Sequence, residues 1–142
     1  MEETISTQQS EQGRGITLLL VEDDADLADL LRAELESKGF TVLYASNGAE
    51  ANAYLDDLVT MQKVSIILLD LLLPDARGFD ILKTIKQNSS IASIPVLILS
   101  NLGASNEIAE GKNLGAAGYL IKANFSLNDI AQEVTKTIEN SK

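Results

Sequence analysis

The stretch Lys63-Val-Ser-Ile-Ile-Leu-Leu-Asp70-Leu-Leu-Leu-Pro74-Asp-Ala-Arg-Gly78 decides how the rest of the chain is read. From Val64 to Leu69 only Ser65 is polar, and the run stops at a carboxylate, Asp70, with Pro74 and Gly78 beyond it. Short apolar runs bounded by turn residues form strands covered on both faces, as in parallel sheets. An ionised aspartate at the end of such a strand is costly unless a cation or a hydrogen-bond donor meets it. What lies beside Asp70 therefore matters as much as the strand itself.

Outward from this strand the same alternation repeats. On the N-terminal side, Ile16 to Val21 is a first buried strand, and Asp26 to Lys38 is a helix with Leu27, Leu30, Leu31 and Leu35 on one stripe, stopped by Gly39. Phe40 to Ala45 is a second strand, and Asn47-Gly-Ala-Glu50 resembles a capping box opening a helix to about Leu58. On the C-terminal side, a helix carries Phe79, Ile81, Leu82 and Ile85 to about Gln87, and Ile94 to Leu99 is a fourth strand, with Pro95 tolerable at its start. Asn106 to Leu114 reads as a short, weak helix interrupted by Gly111 and ended by Gly115. Gly118 to Ile121 is a fifth strand, and Ser126-Leu-Asn-Asp129 caps a last helix with Leu127, Ile130, Val134 and Ile138 on one face. Five β-α pairs joined by short connections predict a doubly wound α/β domain: a five-stranded parallel sheet of order 2-1-3-4-5 with five helices, flavodoxin-like. Residues 1–15 read as a disordered tail and residues 16–142 as one domain, with no output module following the last helix.

Composition narrows the chemistry. The chain has 142 residues, enough for one domain with a substantial core. It has neither Cys nor His, so disulfides, a thiolate nucleophile, an imidazole base and a phosphohistidine role are excluded. A net charge of −10 argues against nucleic acid as a partner. No apolar run approaches the roughly 20 residues that span a bilayer. The acidic, polar N-terminus is unlike a secretory signal, so a cytoplasmic protein is expected, without a membrane partner.

In open α/β sheets, sites form at the carboxyl ends of the strands, where the strand order reverses. Strand one ends in Glu22-Asp23-Asp24, strand three in Asp70, strand four in Ser100-Asn101 and strand five in Lys122. With strands one and three adjacent, Glu22, Asp23 and Asp70 share one crevice, and an all-oxygen set of that kind suits Mg²⁺. The Ser100 hydroxyl and the Lys122 ammonium flank it. Carboxylates, a divalent cation, a hydroxyl and a point charge together suit a phosphoryl group, toward which an aspartate can be the nucleophile.

The set Leu18-Leu-Leu-Val-Glu22-Asp23-Asp24, Asp70-Leu-Leu-Leu-Pro74-Asp-Ala-Arg-Gly78, Ser100 and Lys122 resembles the response-regulator receiver domain of two-component signal transduction, from about Ile16 to Ile138. The resemblance implies a stand-alone receiver and not a turnover enzyme. In it Asp70 is the phosphoacceptor, Asp23 and Glu22 are the metal-site acids, and the main-chain oxygen of Leu72 is a further ligand of Mg²⁺. It further implies that Ser100 bonds the phosphoryl group, that Lys122 pairs with it, and that Tyr119 swings inward with the Ser100 hydroxyl. A histidine kinase or His-containing phosphotransfer protein is the implied donor, and a downstream protein reads the face of helix four, strand five and helix five. A degenerate receiver acting as a constitutive interaction domain, or a small aspartyl-phosphate phosphohydrolase, are the alternatives. For the latter, Leu72 occupies the place of the usual second acid.

Two positions depart from the family pattern, and two more bear on how the family controls water. Lys122 is followed by Ala123 and not by proline, so either a trans bond with a rearranged loop or a retained cis bond is open. Asn101 is larger than the small residue usual after the hydroxyl residue. Leu72 and Leu102 stand where the family controls water. Either they exclude the hydrolytic water and prolong the phosphorylated state, or they simply cover the loops.

Overall fold

A computed structural model describes residues 13–142 of the chain. Its five strands are β1 Thr17–Val21, β2 Thr41–Ala45, β3 Val64–Leu69, β4 Val96–Ser100 and β5 Gly118–Ile121. Its main helices are α1 Ala25–Ser37, α2 Gly48–Asp56, α3 Gly78–Gln87, α4 Ser105–Asn113 and α5 Leu127–Asn140. A one-turn helix spans Leu58–Met61 and a 3₁₀ turn spans Lys122–Asn124. All strand pairs are parallel, in the order β2-β1-β3-β4-β5. The doubly wound sheet expected from the alternation is the fold observed.

Period-two alternation in the strands sorts the core into two layers. Leu18, Leu20, Ile66, Leu68, Leu97 and Leu99 face α1 and α5, where they meet Leu31, Leu35, Ile130 and Val134. Leu19, Val21, Ile67, Leu69, Val96 and Ile98 face the other way, against Leu55, Phe79, Leu82 and Ile85 of α2 and α3. Burying each such leucine or isoleucine stabilises by about 1.5–3 kcal/mol, so the central strands anchor the domain. Among the described residues, no helix is long and apolar enough to cross a membrane.

Several boundaries differ from the sequence reading for local reasons. The tail expected over residues 1–15 lies outside the described residues up to residue 12. Gly13 is seated, its N–H donating to the Lys38 carbonyl at 2.8 Å. At α2, Asn47 accepts from the Glu50 N–H at 2.8 Å as a cap should. The Glu50 carboxylate, however, reaches back to the N–H and hydroxyl of Ser46 rather than to Asn47. The helix expected to run to Leu58 stops at Asp56, because the next carboxylate, Asp57, caps the one-turn helix by accepting from the Thr60 N–H at 3.2 Å. Helix α1 closes at Gly39 (φ +96°) and α4 closes at Gly115 (φ +98°), left-handed positions that glycine occupies without strain.

Gly111 does not interrupt α4. The helix runs through it, and a Cβ there would lie 2.9 Å from Ile98 Cδ1 and 3.2 Å from the Tyr119 ring. The residue that looks like a weakness in propensity is the one that lets α4 approach β4 and β5.

Candidate functional site

Among the described residues, the buried polar or charged positions are Glu22 (1% exposed), Asp70 (4%) and Ser100 (0%). All three stand at the carboxyl ends of strands, where sheet register places them. Val21 pairs with Leu69, so Glu22 and Asp70 leave the sheet side by side, and Asp70 N–H donates to the Val21 carbonyl at 3.0 Å. Leu69 pairs with Ile98, which puts Ser100 beside the same opening. Carboxylate oxygens of Glu22, Asp23 and Asp70 lie within 4.8 Å of one another, with Asp23 exposed at the mouth.

The β1–α1 loop divides its acids by task. Glu22 turns inward, its carboxylate accepting from the Asp24 N–H at 3.1 Å. Asp24 caps α1 by accepting from the Leu27 N–H at 3.2 Å. Asp23 is left facing the opening. Tyr44 on β2 fastens the loop from the other side, donating its hydroxyl to the Glu22 carbonyl at 2.7 Å.

Lys122 is the cation that meets the buried acids. Its Nζ lies 2.8 Å from Glu22 Oε1 and 3.0 Å from Asp70 Oδ2. Burial opposes the ammonium charge, but the Glu22 and Asp70 carboxylates outweigh it and hold Lys122 above its usual pKa. Burial acts in the same sense on Glu22: despite the Lys122 contact, desolvation and the nearby Asp70 charge raise it from 4.5 to about 7. Once Glu22 gives up its proton, three carboxylates against one ammonium sum to a formal −2, the charge that one divalent cation cancels. Its all-oxygen donors suit a hard ion such as Mg²⁺.

The raised Glu22 value has a testable consequence. A folded chain that keeps a proton its unfolded form releases loses stability as pH rises from about 4.5 to about 7. Metal-free denaturation at about pH 5 and pH 8 should show the parent losing about 2–3 kcal/mol relative to Glu22→Gln, which is neutral throughout. Parallel pH profiles would contradict the assignment.

The remaining expected residues are placed as follows. Ser100 is buried, its Oγ accepting from the Leu102 N–H at 3.3 Å. The Tyr119 hydroxyl donates to the Leu102 carbonyl, tying the aromatic of β5 to the β4–α4 loop. Leu72 donates its N–H to Asp70 Oδ1 at 3.3 Å, and its side chain is 57% exposed. The Lys122–Ala123 bond is trans: there is no cis peptide among the described residues, and the chain enters a 3₁₀ turn after the lysine. That turn leaves Lys122 Nζ on both carboxylates, so the absent proline does not misdirect it.

Two contributors were not apparent from sequence. Tyr44 looked like strand filling, and only its place one residue from the end of β2 hints that its hydroxyl reaches the acidic loop. Gly78 looked like turn punctuation. A Cβ there would lie 2.5 Å from the Asp70 carbonyl oxygen and 2.5 Å from Leu71 Cα, so only glycine lets α3 begin against the strand end. Its N–H donates to the Leu71 carbonyl at 2.8 Å.

The chain is similar to known proteins in sequence and in fold. Residues 18–135 match the response regulator receiver domain. The chain is 39% identical over 105 residues to the transcriptional regulatory protein CpxR of Klebsiella pneumoniae, covering 74% of this chain and 42% of that protein. It is 31% identical over 108 residues to the phosphate regulon transcriptional regulatory protein PhoB of Pseudomonas aeruginosa, covering 76% of this chain and 45% of that one. The chain thus matches less than half the length of either relative. Among solved structures, the Francisella response regulator 1452 receiver domain is 26% identical with a TM-score of 0.75, covering 89% of this chain and 99% of that one. The Mn²⁺-bound form of response regulator Rcp1 is 28% identical with a TM-score of 0.71, covering 85% and 90%. Sequence match and sheet order agree: the chain belongs to the response regulator receiver domain family.

Proposed function

We propose that Asp70 accepts a phosphoryl group from a phosphohistidine of a histidine kinase or phosphotransfer protein, with Mg²⁺ bound, and that this changes a protein-binding face. Receiver domains are phosphoacceptors that interact with histidine kinases. The observation that carries the reading to this chain is the junction of three carboxylates within 4.8 Å with Lys122 between two of them.

Glu22, Asp23, Asp70 and the Leu72 main-chain oxygen would hold the ion, which when bound supplies neutralising charge for the incoming phosphoryl oxygens. A carboxylate oxygen of Asp70 attacks the phosphorus. The P–N bond breaks, the imidazole nitrogen keeps the electron pair, and an acyl phosphate is left on Asp70. Lys122, already at 3.0 Å from Asp70, exchanges a carboxylate partner for a phosphoryl oxygen. Ser100, one strand over, donates its hydroxyl to the same group. That withdraws Ser100 Oγ from the Leu102 N–H and disturbs a loop to which Tyr119 is also bonded. The change passes to α4, β5 and α5 as a local electrostatic event biasing a packed element. The domain acts as a switched binding module rather than a turnover enzyme, and works in the cytoplasm.

Treatment with acetyl phosphate and Mg²⁺, read by intact mass, should add one phosphoryl group to the parent and none to Asp70→Asn. Labelling that survives Asp70→Asn would overturn the reading. The exposed Leu72 and half-buried Leu102 are proposed to keep hydrolytic water from the acyl phosphate. The double variant Leu72→Asn with Leu102→Glu should therefore dephosphorylate about 10-fold or more faster. Equal lifetimes would leave the two leucines as loop cover.

A further inference from the structure

The loop between Asp70 and α3 carries Leu72, whose main-chain oxygen completes the proposed metal set, and also Asp75, to which the proposed function gives no part. We propose that Asp75 is a positioning residue for the metal, fastening this loop to the start of α2 so that Leu72 is held in place before an ion arrives. The inference rests on the reading of Glu22, Asp23, Asp70 and Leu72 as a Mg²⁺ site.

Asp75 accepts from two backbone amides on a distant element, Gly48 N–H at 2.7 Å and Ala49 N–H at 3.0 Å. These are the first two donors of α2, which no intrahelical carbonyl can meet. The third, Glu50 N–H, is met by the Asn47 side chain, and the fourth, Ala51 N–H, by the Asn47 carbonyl. Asp75 therefore takes the two donors that the helix's own cap leaves free. A carboxylate is favoured there, since two charge-assisted bonds act together with the positive end of the helix. Those two amide bonds hold the Asp75 carboxyl below its ordinary pKa.

A second observation concerns space. A Cβ on Gly48 would lie 2.6 Å from the Ala76 Cβ and 3.0 Å from Asp75 Oδ1. The loop and the helix start are in direct contact, and the small residue at 48 sets how closely they approach. The other end of the loop is closed by an antiparallel bridge between Leu72 and Arg77 and by the Gly78 N–H on the Leu71 carbonyl. Leu72 thus lies between Asp70, to which its own N–H is bonded, and a loop pinned to α2. Groups that orient a ligand without touching the metal commonly change its affinity 10–100-fold when removed.

Titration calorimetry of the full chain with Mg²⁺ tests this. Asp75→Ala, which frees the loop, should weaken Mg²⁺ binding about 10-fold. Gly48→Ala should do the same with every charge intact, because its methyl group pushes the loop away. Asp57→Ala removes an equal charge from the cap of the one-turn helix and should bind Mg²⁺ as the parent does. Parent affinity in Asp75→Ala or Gly48→Ala, with only denaturation midpoints lowered, would make Asp75 a helix cap and overturn the proposal. A loss in Asp57→Ala equal to that in Asp75→Ala would also overturn it, since charge alone would then explain the effect. If the parent shows no saturable Mg²⁺ binding, or Asp23→Asn binds as the parent does, the metal site itself is wrong and the positioning role falls with it.

Discussion

Replacing Lys122 with alanine is expected to destabilise the metal-free chain by about 3 kcal/mol near pH 8 and by clearly less near pH 5. Among the described residues the lysine Nζ is the one basic group within bonding distance of Glu22 and Asp70, and both acids are almost fully buried. Without it, two carboxylates face each other in a pocket that also contains Asp23. The chain can relieve this only by binding a proton, and Glu22, already at about 7, is the group placed to take it. Proton uptake is easy at low pH and costly at high pH, so the penalty grows with pH. Millimolar Mg²⁺ should restore a large part of the loss, since a divalent ion takes over the neutralisation. Chemical denaturation at the two pH values, with and without Mg²⁺, measures all of this. A loss independent of both pH and Mg²⁺ would mean that Lys122 contributes packing and not charge.

Gly78→Ala is expected to cost about 2–3 kcal/mol and to reduce labelling by acetyl phosphate about 100-fold. Its added methyl group would meet Asp70 O and Leu71 Cα, both at 2.5 Å, and these are backbone atoms with no rotamer to retreat into. Relief requires moving the first turn of α3 or the strand end that carries Asp70. Gly103→Ala is the appropriate comparison. There the new methyl group meets the terminal Cδ1 of Ile121 at 3.0 Å, the far end of a flexible side chain, and the change should be small in both assays. Similar labelling in the two variants would show that the Gly78 contact does not position Asp70.

The central fold was legible because each strand is a nearly unbroken apolar run closed by a polar residue. Val64–Leu69 and Gly118–Ile121 are seen with the bounds their composition suggests. Parallel order then followed from helices lying between the strands, and with it the meeting of Glu22, Asp23, Asp70, Ser100 and Lys122 at one edge. One bound slipped where a side chain took a different partner: Asp57 caps a new turn and ends α2 early. At the other end of α2 the start after Asn47 is as expected, and only the partner of the Glu50 carboxylate differs, Ser46 rather than Asn47. The fourth strand, expected from Ile94 to Leu99, runs from Val96 to Ser100. Contacts between distant loops were not legible. Nothing in Pro74-Asp-Ala-Arg ties Asp75 to Gly48, because the pairing depends on how closely α2 and the β3–α3 loop approach in space. Lys122 could be placed at the site from its strand end, but its double contact with Glu22 and Asp70 needed the three-dimensional path of the 3₁₀ turn.

The glycine buried in α4 limits how that helix can move. Gly111 fills a gap one methyl group too small for any other residue without adjustment by Ile98 or Tyr119. Its neighbours in sequence are Glu110 and Lys112, each about 100° around the helix axis. A roll of α4 in either direction would swing one of these long charged side chains toward apolar contacts. Sliding along the axis would carry Gly111 out of its gap and bring a residue with a side chain against Ile98 and Tyr119, whereas lifting away from the sheet carries no such penalty. The helix is therefore keyed to the sheet at one point: it can leave, but neither turn nor slide in place.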